Sequence, residues 1–438
     1  MTRRTLSLVR NLTTTFATAL LLFAAASASA QTFTVLYNFS GGADGGNPGS
    51  TLAIDTSGNL YGAAFTGGLG YGTAFELSPS ASGWTFNTLY SFQGFPANDG
   101  AGPVGILIGP EGALLGTTQG GGKKCKGVAI YDGCGTVYEL TPPPTRTERV
   151  LYRFTGGSDG ILPYGLQPLA LHDGTLYGTA FLGGAYGECI SNYKCGASFQ
   201  LTPPTGTGTW HETVTWDFGS GSDGAELASS VIFDNAGNMY GTTIAGGDGT
   251  ACFVQGHTGC GIVYELSPSS SGWTETTLYN FLGESDGGAP YPGLVFDSAG
   301  NLYGATAYGG SGGGGTIYEL SPSSGGWIHS VLYSFAATGA GPNGQCYNCP
   351  GPYATLIIDG SGNLYGTTYN DGVYGRGMVF ELAHSGAGWT FTDLHDFTGG
   401  SDGADVWAGL VRDRNGDLYG ATHDGGANGY GVVYEIAP

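Results

Sequence analysis

The sequence predicts an all-β protein, a seven-bladed β-propeller with four-stranded blades, from three observations. A Leu-Tyr-Gly core recurs seven times, each copy contains four strand-like runs, and the two chain ends together supply one complete copy. Composition agrees, because 85 glycines supply turns while 13% aromatic residues supply a core. Charged residues make up only 11% of the chain, which argues against long charged helices and coiled coils.

The repeat centres lie 54 to 63 residues apart along the chain. Their tyrosines are Tyr61, Tyr177, Tyr240, Tyr303, Tyr365 and Tyr419, and Leu115 takes the same place in the second copy. Such repetition is typical of propellers, where each repeat is one sheet that cannot bury both faces alone. We therefore predict a single domain over residues 31–438.

The fifth copy shows the strands of a blade, A to D, most clearly. Strand A is the apolar run that ends at Asp297, strand B spans 301–306, strand C spans 315–320 and strand D spans 327–335. The Asp-Ser-Ala-Gly-Asn link between A and B suits a short hairpin capped by the aspartate. Strands A to C alternate little, as expected for sheets covered on both faces.

The chain ends predict ring closure. The run from Thr34 to Phe39 is an isolated strand D, and the run from Gly431 to Ile436 is a strand C. Pairing the first strand with the last three gives a seventh blade, whereas an open solenoid would expose an edge at each end.

Residues that recur in most copies are interpreted as structural. The tyrosines pack between blades, the aspartates of strand A cap turns, and the strand C glutamates form hydrogen bonds. The aspartates are Asp55, Asp234, Asp297, Asp359 and Asp413. The glutamates are Glu76, Glu139, Glu265, Glu319, Glu381 and Glu435, with Gln200 in the remaining copy.

Residues 1–30 have the features of a signal peptide. Arg3, Arg4 and Arg10 precede an apolar run, and Ala28-Ser29-Ala30 forms a cleavage site of small residues. We expect an exported protein, extracellular or periplasmic, with the secretion route left open. The net charge of −21 becomes −24 without these three arginines, which disfavours nucleic acid and anionic lipid as partners. We expect no membrane span and a monomer.

Eight cysteines fall into four close pairs, which in an exported chain predict local disulfides. The pairs are Cys125 with Cys134, Cys189 with Cys195, Cys252 with Cys260, and Cys346 with Cys349. A redox pair or half of a zinc site is the alternative for the last pair, although no second CxxC accompanies it.

The pattern Asp-x-x-Gly-Asn-Leu-Tyr-Gly-x-Thr, followed by Gly-Gly-x-x-Gly-x-Gly-Thr-Val-Tyr-Glu-Leu, resembles the GloVer tandem repeat of choice-of-anchor bacterial surface proteins. The resemblance covers nearly all of residues 32–438 and is specific, as in Asp359 to Leu382. It implies an exported repeat protein without an established biochemical role, so it transfers no catalytic residue. A C-terminal sorting segment is not recognisable, which favours secretion over attachment.

Binding is expected on the face formed by the B–C and D–A connections, because these loops are long, irregular and contain every cysteine. An Asp-Gly recurs in the D–A connections and could form a ring that contacts Ca²⁺ or sugar hydroxyls, although Asp-Gly also favours tight turns. The ring consists of Asp44, Asp99, Asp159, Asp223, Asp286 and Asp402, with Asn343 as a loose equivalent. No other cofactor is expected.

Residues that break the repeat symmetry are the second group of candidates. They are Lys123, Lys124, Lys126, His257, Trp407, His423 and Asp424. Recognisable catalytic motifs such as HExxH or GxSxG are missing from the sequence, so we assign no catalytic residue. The leading hypothesis is a non-enzymatic propeller that binds an extracellular glycan or surface protein. A carbohydrate-active lyase or hydrolase and a structural envelope protein are the alternatives.

Overall fold

The fold consists of seven four-stranded antiparallel sheets arranged as a ring of blades, which confirms the predicted all-β propeller. The computed structural model describes residues 31–125, 133–163, 169–187, 189, 194–206, 208–219, 221–254, 257–336, 351–386 and 388–438. The predicted signal peptide over residues 1–30 lies outside the described residues, and so do Lys126, Asn343, Cys346 and Cys349.

Each blade runs from the inner strand A to the outer strand D. The chain starts with β1 (Thr32–Asn38), which is strand D of blade 7. Blades 1 to 3 contain β2 (Ala53–Ile54), β3 (Leu60–Ala64), β4 (Thr73–Ser80) and β5 (Gly83–Ser91); β6 (Gly100–Ile108), β7 (Leu114–Gly121), β8 (Thr136–Leu140) and β9 (Glu148–Arg153); and β10 (Ala170–His172), β11 (Thr175–Ala180), β12 (Ala197–Thr202) and β13 (His211–Asp217).

The remaining blades follow the same order. Blade 4 contains β14 (Ile232–Phe233), β15 (Met239–Thr243), β18 (Ile262–Ser269) and β19 (Gly272–Asn280), and its B–C loop holds the small pair β16 (Phe253–Val254) and β17 (His257–Thr258). Blades 5 to 7 contain β20 (Val295–Phe296), β21 (Leu302–Thr306), β22 (Gly313–Ser323) and β23 (Gly326–Ala336); β24 (Ile357–Ile358), β25 (Leu364–Thr368), β26 (Met378–Ser385) and β27 (Gly388–Asp396); and β28 (Val411–Arg412), β29 (Leu418–Thr422), β30 (Val432–Ala437) and β1. A short 3-10 helix, Pro110–Gly112, precedes β7.

The ring closes as the chain ends predict. Strand β1 pairs antiparallel with β30, from Thr32 opposite Ala437 to Asn38 opposite Val432. The sheet order β1-β30-β29-β28 therefore places the first strand of the chain on the outside of the last blade. Both backbone edges that an open array would expose are thereby paired or covered.

The recurring aspartate, tyrosine and glutamate form one hydrogen-bonded unit in blades 1 and 6, and blades 4, 5 and 7 keep the tyrosine's hydrogen bond to one of the two acids. In blade 1, Asp55 accepts hydrogen bonds from the backbone N–H groups of Ser57 and Asn59 at 2.8 and 3.0 Å. The Tyr61 hydroxyl lies 3.1 Å from Asp55 and 3.0 Å from Glu76. The predicted roles as turn cap and hydrogen-bonding residue are confirmed, and they explain why these residues recur.

A ring of seven aromatic pairs holds the blades together. In each pair, a phenylalanine at the end of strand D packs against a strand C aromatic of the next blade, with 4.8 to 5.4 Å between the ring centroids. The pairs are Phe39–Phe75, Phe92–Tyr138, Phe154–Phe199, Phe218–Tyr264, Phe281–Tyr318, Phe335–Phe380 and Phe397–Tyr434. All fourteen rings are buried. Each pair therefore joins two neighbouring sheets, and most pairs have the edge-to-face geometry that aromatic rings prefer.

The glycine of the Leu-Tyr-Gly core makes room for these rings. A Cβ atom at Gly241 would lie 2.3 Å from the Tyr264 hydroxyl oxygen and 2.5 Å from Cζ of the same ring. The recurrence of glycine beside the repeat tyrosine is therefore a packing requirement of strand C.

The inner strands line a central channel. A cavity of about 380 Å³ is bounded by strand A and its preceding residues in blades 1, 2, 6 and 7. Its lining residues are Thr51, Leu52, Ala53, Ile54, Ile106, Leu107, Ile108, Thr355, Leu356, Ile357, Leu410 and Val411. Residues just before strand A therefore lie at one mouth of the channel. Within the described part of the chain, no helix has the length and apolar character needed to cross a membrane.

Candidate functional site

The two faces of the propeller differ in their connections. The A–B and C–D turns form one face, here called the turn face, and the longer B–C and D–A connections form the other, the loop face. Three predicted disulfides are present in B–C loops of the loop face, namely Cys125–Cys134, Cys189–Cys195 and Cys252–Cys260. These bridges restrict the loops of three consecutive blades, 2 to 4.

The Asp-Gly aspartates cap the D–A turns of their own blades. Asp159 accepts hydrogen bonds from the Thr155 N–H at 2.7 Å and the Tyr152 hydroxyl at 3.0 Å. The same pair of contacts, to a backbone N–H and a strand D tyrosine, is made by Asp44, Asp99 and Asp286. Asp402 accepts from the Thr398 N–H at 2.9 Å, and Asp223 accepts from the Gly219 N–H at 3.3 Å.

These contacts explain the recurrence of Asp-Gly without a ligand. Among the described residues, no three histidine, cysteine or acidic side chains are arranged to hold a metal ion. Binding of Ca²⁺ or sugar hydroxyls by this ring stays a prediction.

Three residues after each Asp-Gly aspartate, the backbone adopts a left-handed conformation. The φ angle is 56° at Asn47, 62° at Glu226 and 57° at Asp405, and Leu162 and Ala289 are similar. In blade 7 the Asp405 N–H donates to the Arg376 carbonyl of blade 6 at 2.9 Å. A positive φ costs a non-glycine residue on the order of 1 kcal/mol or more and persists where surrounding contacts enforce it. The side chain at this position differs from blade to blade, so the repeat symmetry is broken here.

Two of these left-handed residues belong to a polar cluster at the junction of blades 7 and 1. The cluster consists of Asn47, Asp405, His423 and Asp424. The Asn47 side-chain amide donates to Asp424 at 2.9 Å and to the His423 carbonyl at 3.1 Å. The His423 Nδ1 atom lies 3.2 Å from the Asp424 carboxylate.

The two carboxyl groups of the polar cluster have opposite pKa shifts. Burial, together with its hydrogen-bonding contact to Asp424, raises the pKa of Asp405. The hydrogen bond with His423 lowers the pKa of Asp424 despite partial burial. Of the two carboxyl groups, Asp405 is therefore the one that binds a proton more readily, and Asp424 beside the imidazole is the one that ionises more readily.

An arc of aromatic rings leads away from the polar cluster. Trp407 stacks on His423 with 5.1 Å between centroids, and Tyr369 meets Trp407 edge-on at 5.4 Å. Tyr353 continues the arc 5.4 Å from Tyr369, and Tyr291 lies 4.6 Å from Tyr353. This aromatic arc spans blades 5 to 7 on the loop face.

The repeat register explains why the aromatic arc covers one side of the channel mouth. Tyr291, Tyr353 and Trp407 each stand three residues before the buried leucine that directly precedes strand A. Blade 1 has Gly49 at this position, where a Cβ atom would lie 3.5 Å from the His423 ring. Blades 2 and 4 have Pro103 and Ala228 there. The mouth is thus aromatic over three consecutive blades, and aromatic side chains with a few convergent polar groups are typical of ligand sites.

Sequence reasoning found part of this site. Trp407, His423 and Asp424 are among the predicted symmetry-breaking residues, whereas Asn47, Tyr291, Tyr353, Tyr369 and Asp405 were missed. An available signal was the aromatic residue before strand A in three consecutive copies. Lys123 and Lys124 are exposed beside Cys125, and His257 lies in β17. None of these three residues belongs to the aromatic arc.

Comparison with known proteins identifies the family of the chain. The model of the Gloeobacter/Verrucomicrobia repeat matches residues 21–190 and 343–438, as the resemblance to the GloVer repeat predicted. No curated protein matches the chain.

Several solved structures are similar at low sequence identity. PorZ, a surface component of the type-IX secretion system of Porphyromonas gingivalis, is 14% identical with a TM-score of 0.47, and the match covers 89% of this chain and 46% of PorZ. The chain thus spans less than half the length of PorZ. A gluconolactonase from Xanthomonas campestris is 10% identical, with a TM-score of 0.41 and coverage of 93% and 89%. A puromycin-hydrolysing peptidase from Mycobacterium tuberculosis is 12% identical, with a TM-score of 0.46 and coverage of 89% and 52%.

Proposed function

The chain belongs to the Gloeobacter/Verrucomicrobia repeat family, and from this premise we propose that it is an exported, non-enzymatic propeller that binds an extracellular glycan at its loop face. The aromatic arc beside the polar cluster is the observation on which the proposal depends. Aromatic faces can receive the apolar face of a sugar ring, and the carboxylate and amide groups can bind its hydroxyls.

Export is part of the proposal. Three disulfides in the described residues are typical of proteins that mature in an oxidising compartment. N-terminal sequencing of the protein recovered from the medium or periplasm should begin at Gln31, after the Ala28-Ser29-Ala30 site. Recovery of the unprocessed chain from the cytoplasm alone would contradict export.

A glycan array followed by calorimetric titration of each hit tests the binding proposal. We expect Trp407→Ala to weaken glycan binding by about tenfold or more, since a buried aromatic anchor contributes on the order of 1–2 kcal/mol. Tyr186→Ala is the matched control, because Tyr186 is an exposed aromatic residue of the loop face outside the aromatic arc. If the protein binds a cell-surface protein and no glycan, its ligand is a protein rather than a glycan.

A hydrolase is the weaker alternative for the same residues. Asp405 and Asp424 lie close enough that each carboxyl group shifts the pKa of the other, whereas the carboxyl groups of glycosidases stand about 5–10 Å apart with the substrate between them. This contact favours binding over hydrolysis. Release of reducing ends from an array-positive glycan, abolished by Asp424→Asn, would establish the hydrolase instead. Absence of any ligand would favour a structural envelope protein.

A further inference from the structure

A second cavity lies on the turn face, at the opposite end of the propeller from the aromatic arc. Its volume is about 490 Å³, and it opens between the A–B turns of blades 1 and 7. Ile54 lines both this cavity and the central channel. The size falls within the range of small-molecule sites.

Two arginines of blade 7, Arg412 and Arg414, line this cavity. Residues 31–438 contain ten lysines and arginines, in a chain whose net charge is −21. Placing two of the ten in one cavity is therefore a local exception to the acidic surface. Both arginines are exposed.

Arg412 breaks the repeat at a position that is otherwise apolar. By strand register, one strand A residue lies opposite a strand B residue that is leucine in six blades and Met239 in blade 4. That strand A residue is Arg412 in blade 7 and an aliphatic or aromatic residue in the other six blades. Those six residues are Ile54, Ile108, Leu171, Phe233, Phe296 and Ile358. Blade geometry therefore does not require an arginine.

The Tyr365 ring of blade 6 orients the Arg412 guanidinium. The guanidinium carbon lies 5.8 Å from the centre of the ring. Such stacking leaves the N–H groups at the edge of the guanidinium free to bind a ligand, and it reduces the side-chain entropy lost on binding.

Neither arginine is held in an ion pair within the described part of the chain, although carboxylates lie near both. No ion pair shorter than 4.0 Å joins Arg412 or Arg414 to a carboxylate there. The two lining carboxylates, Asp55 and Asp413, instead accept the N–H groups of their own turns. Asp417 also faces Arg412. Burial and Asp413 raise the pKa of Asp417, and the charge of Arg412 offsets part of this rise. The cavity therefore offers unpaired donors, while its acceptors are largely occupied.

We propose that this cavity binds a small carboxylate ligand, a uronic acid sugar. Arginine donates two parallel hydrogen bonds to a carboxylate, which distinguishes that group from a neutral hydroxyl. Ser57, Thr56 and Asn415 also line the cavity and can bind the sugar hydroxyls. The inference does not depend on the function proposed for the loop face.

Titration of the purified protein with glucuronic acid, followed by calorimetry or ligand-observed NMR at low salt, tests the site. We expect a dissociation constant of about 1 mM or below, given the small size of the ligand. Glucose and the methyl ester of glucuronic acid should bind at least tenfold more weakly, because neither has a carboxylate. Salt should weaken glucuronic acid binding, since the arginines are exposed.

Three variants assign the binding to this cavity. Arg412→Gln and Arg414→Gln should each weaken glucuronic acid binding by about tenfold. Arg146→Gln should leave binding unchanged, because Arg146 also stacks on a repeat tyrosine, Tyr61, but lies outside the cavity. Unchanged melting temperatures would show that the variants fold, and Arg414 is exposed.

Four outcomes would overturn the proposal. They are no glucuronic acid binding at 10 mM (roughly tenfold above the expected constant), equal binding of glucose, equal binding of inorganic phosphate, and full binding by the double variant Arg412→Gln/Arg414→Gln.

Discussion

Phe39 packs edge-on against Phe75, with 5.1 Å between the ring centroids, although the two rings belong to different blades. Phe39 directly follows β1 in blade 7, and Phe75 lies in strand C of blade 1. Phe154 and Phe199 repeat this contact between blades 2 and 3 at 5.1 Å. The junction where the two chain ends meet is therefore packed like a junction within the continuous chain.

This equivalence predicts equal losses of stability. Phe39→Ala and Phe154→Ala should each lower the free energy of unfolding by about 3–5 kcal/mol, because each removes a fully buried ring and leaves a cavity. Urea unfolding followed by tryptophan fluorescence measures both. A loss below about 1 kcal/mol for Phe39→Ala alone would mean that the ring is not closed in solution.

The strand C tyrosines provide a prediction of the opposite sign. Within the described residues, the hydroxyls of Tyr138, Tyr264, Tyr318 and Tyr434 are buried and lack a hydrogen-bond partner. Burial strongly raises the pKa of Tyr264. Other blades place Phe75, Phe199 or Phe380 at this position, so the site accommodates a ring without the hydroxyl.

Tyr264→Phe should therefore leave the protein as stable or raise its free energy of unfolding by about 1 kcal/mol. Tyr61→Phe is the matched control and should cost about 1 kcal/mol, since it removes a hydroxyl that lies within hydrogen-bonding distance of Asp55 and Glu76 and donates to one of them. Thermal or urea unfolding compares the two variants. A large loss for Tyr264→Phe would reveal an unrecognised partner of the hydroxyl.

The blades could be predicted from the sequence more fully than the candidate site, because the sequence repeats the blade and does not repeat the site. Repetition presents the same evidence seven times, so residues such as Tyr303, Asp297 and Gly300 identify the blade even where one copy is ambiguous. The hairpin between strands C and D was predicted less well. The sequence predicts that strand C ends at residue 320, yet β22 extends to Ser323 and Pro322 pairs with Trp327 across the hairpin. Proline is tolerated there because strand ends and outer positions do not need every N–H group.

The candidate site is harder to predict because it depends on departures from the repeat. Asp405 lies in the D–A connection and Asp424 in the B–C connection, and only the fold brings their carboxyl groups together. The Asp-Gly motif shows the opposite: a pattern that is regular in the sequence but has a structural explanation. A pattern as regular as Asp44 and Asp286 suggests a functional ring, but the turn alone explains it through hydrogen bonds to Ser40 and Leu282.

Half-buried glutamates on the outer strands predict a pH dependence of stability. Burial, followed by the charge of Asp159, raises the pKa of Glu212 to about 7, and burial with Asp99 raises the pKa of Glu148 to about 7. A raised carboxyl pKa means that the folded state binds the proton more tightly than the unfolded chain. The stability contributed by each group is therefore complete below about pH 4.5 and is lost as the pH rises towards 7.

Glu212→Gln should remove this dependence at its own site. At pH 8 the variant should melt roughly 1–3 °C above the wild type, and at pH 4 the two should coincide, because glutamine resembles the protonated acid. His329 acts in the opposite sense, since burial lowers its pKa to about 4 and its contribution falls as the pH drops from 6.5. Glu265→Gln, in strand C, is a control for loss of charge. A melting difference between wild type and Glu212→Gln that does not change with pH would contradict the prediction.

Hydroxyl groups connect neighbouring blades in two alternative arrangements. In the first, a strand B threonine donates to the carbonyl before strand A of the next blade, as Thr367 does to Ala408 at 2.9 Å. In the second, strand B has alanine and the next blade supplies the threonine. Thr51 of blade 1 accepts the Gly409 N–H of blade 7 at 3.0 Å, where strand B has Ala421.

These alternatives predict a compensating pair of substitutions at the junction between blades 7 and 1. Thr51→Gly should lower the free energy of unfolding by about 1–2 kcal/mol, because it removes a buried hydrogen bond and adds backbone freedom. Adding Ala421→Thr should recover about 1 kcal/mol, since the double variant reproduces the arrangement of Thr367 and Gly409 between blades 6 and 7. Ala421→Thr alone should not stabilise, because Thr51 already fills the position. Urea unfolding of the four proteins gives the coupling energy, and simple additivity would show that the two threonines do not substitute for each other.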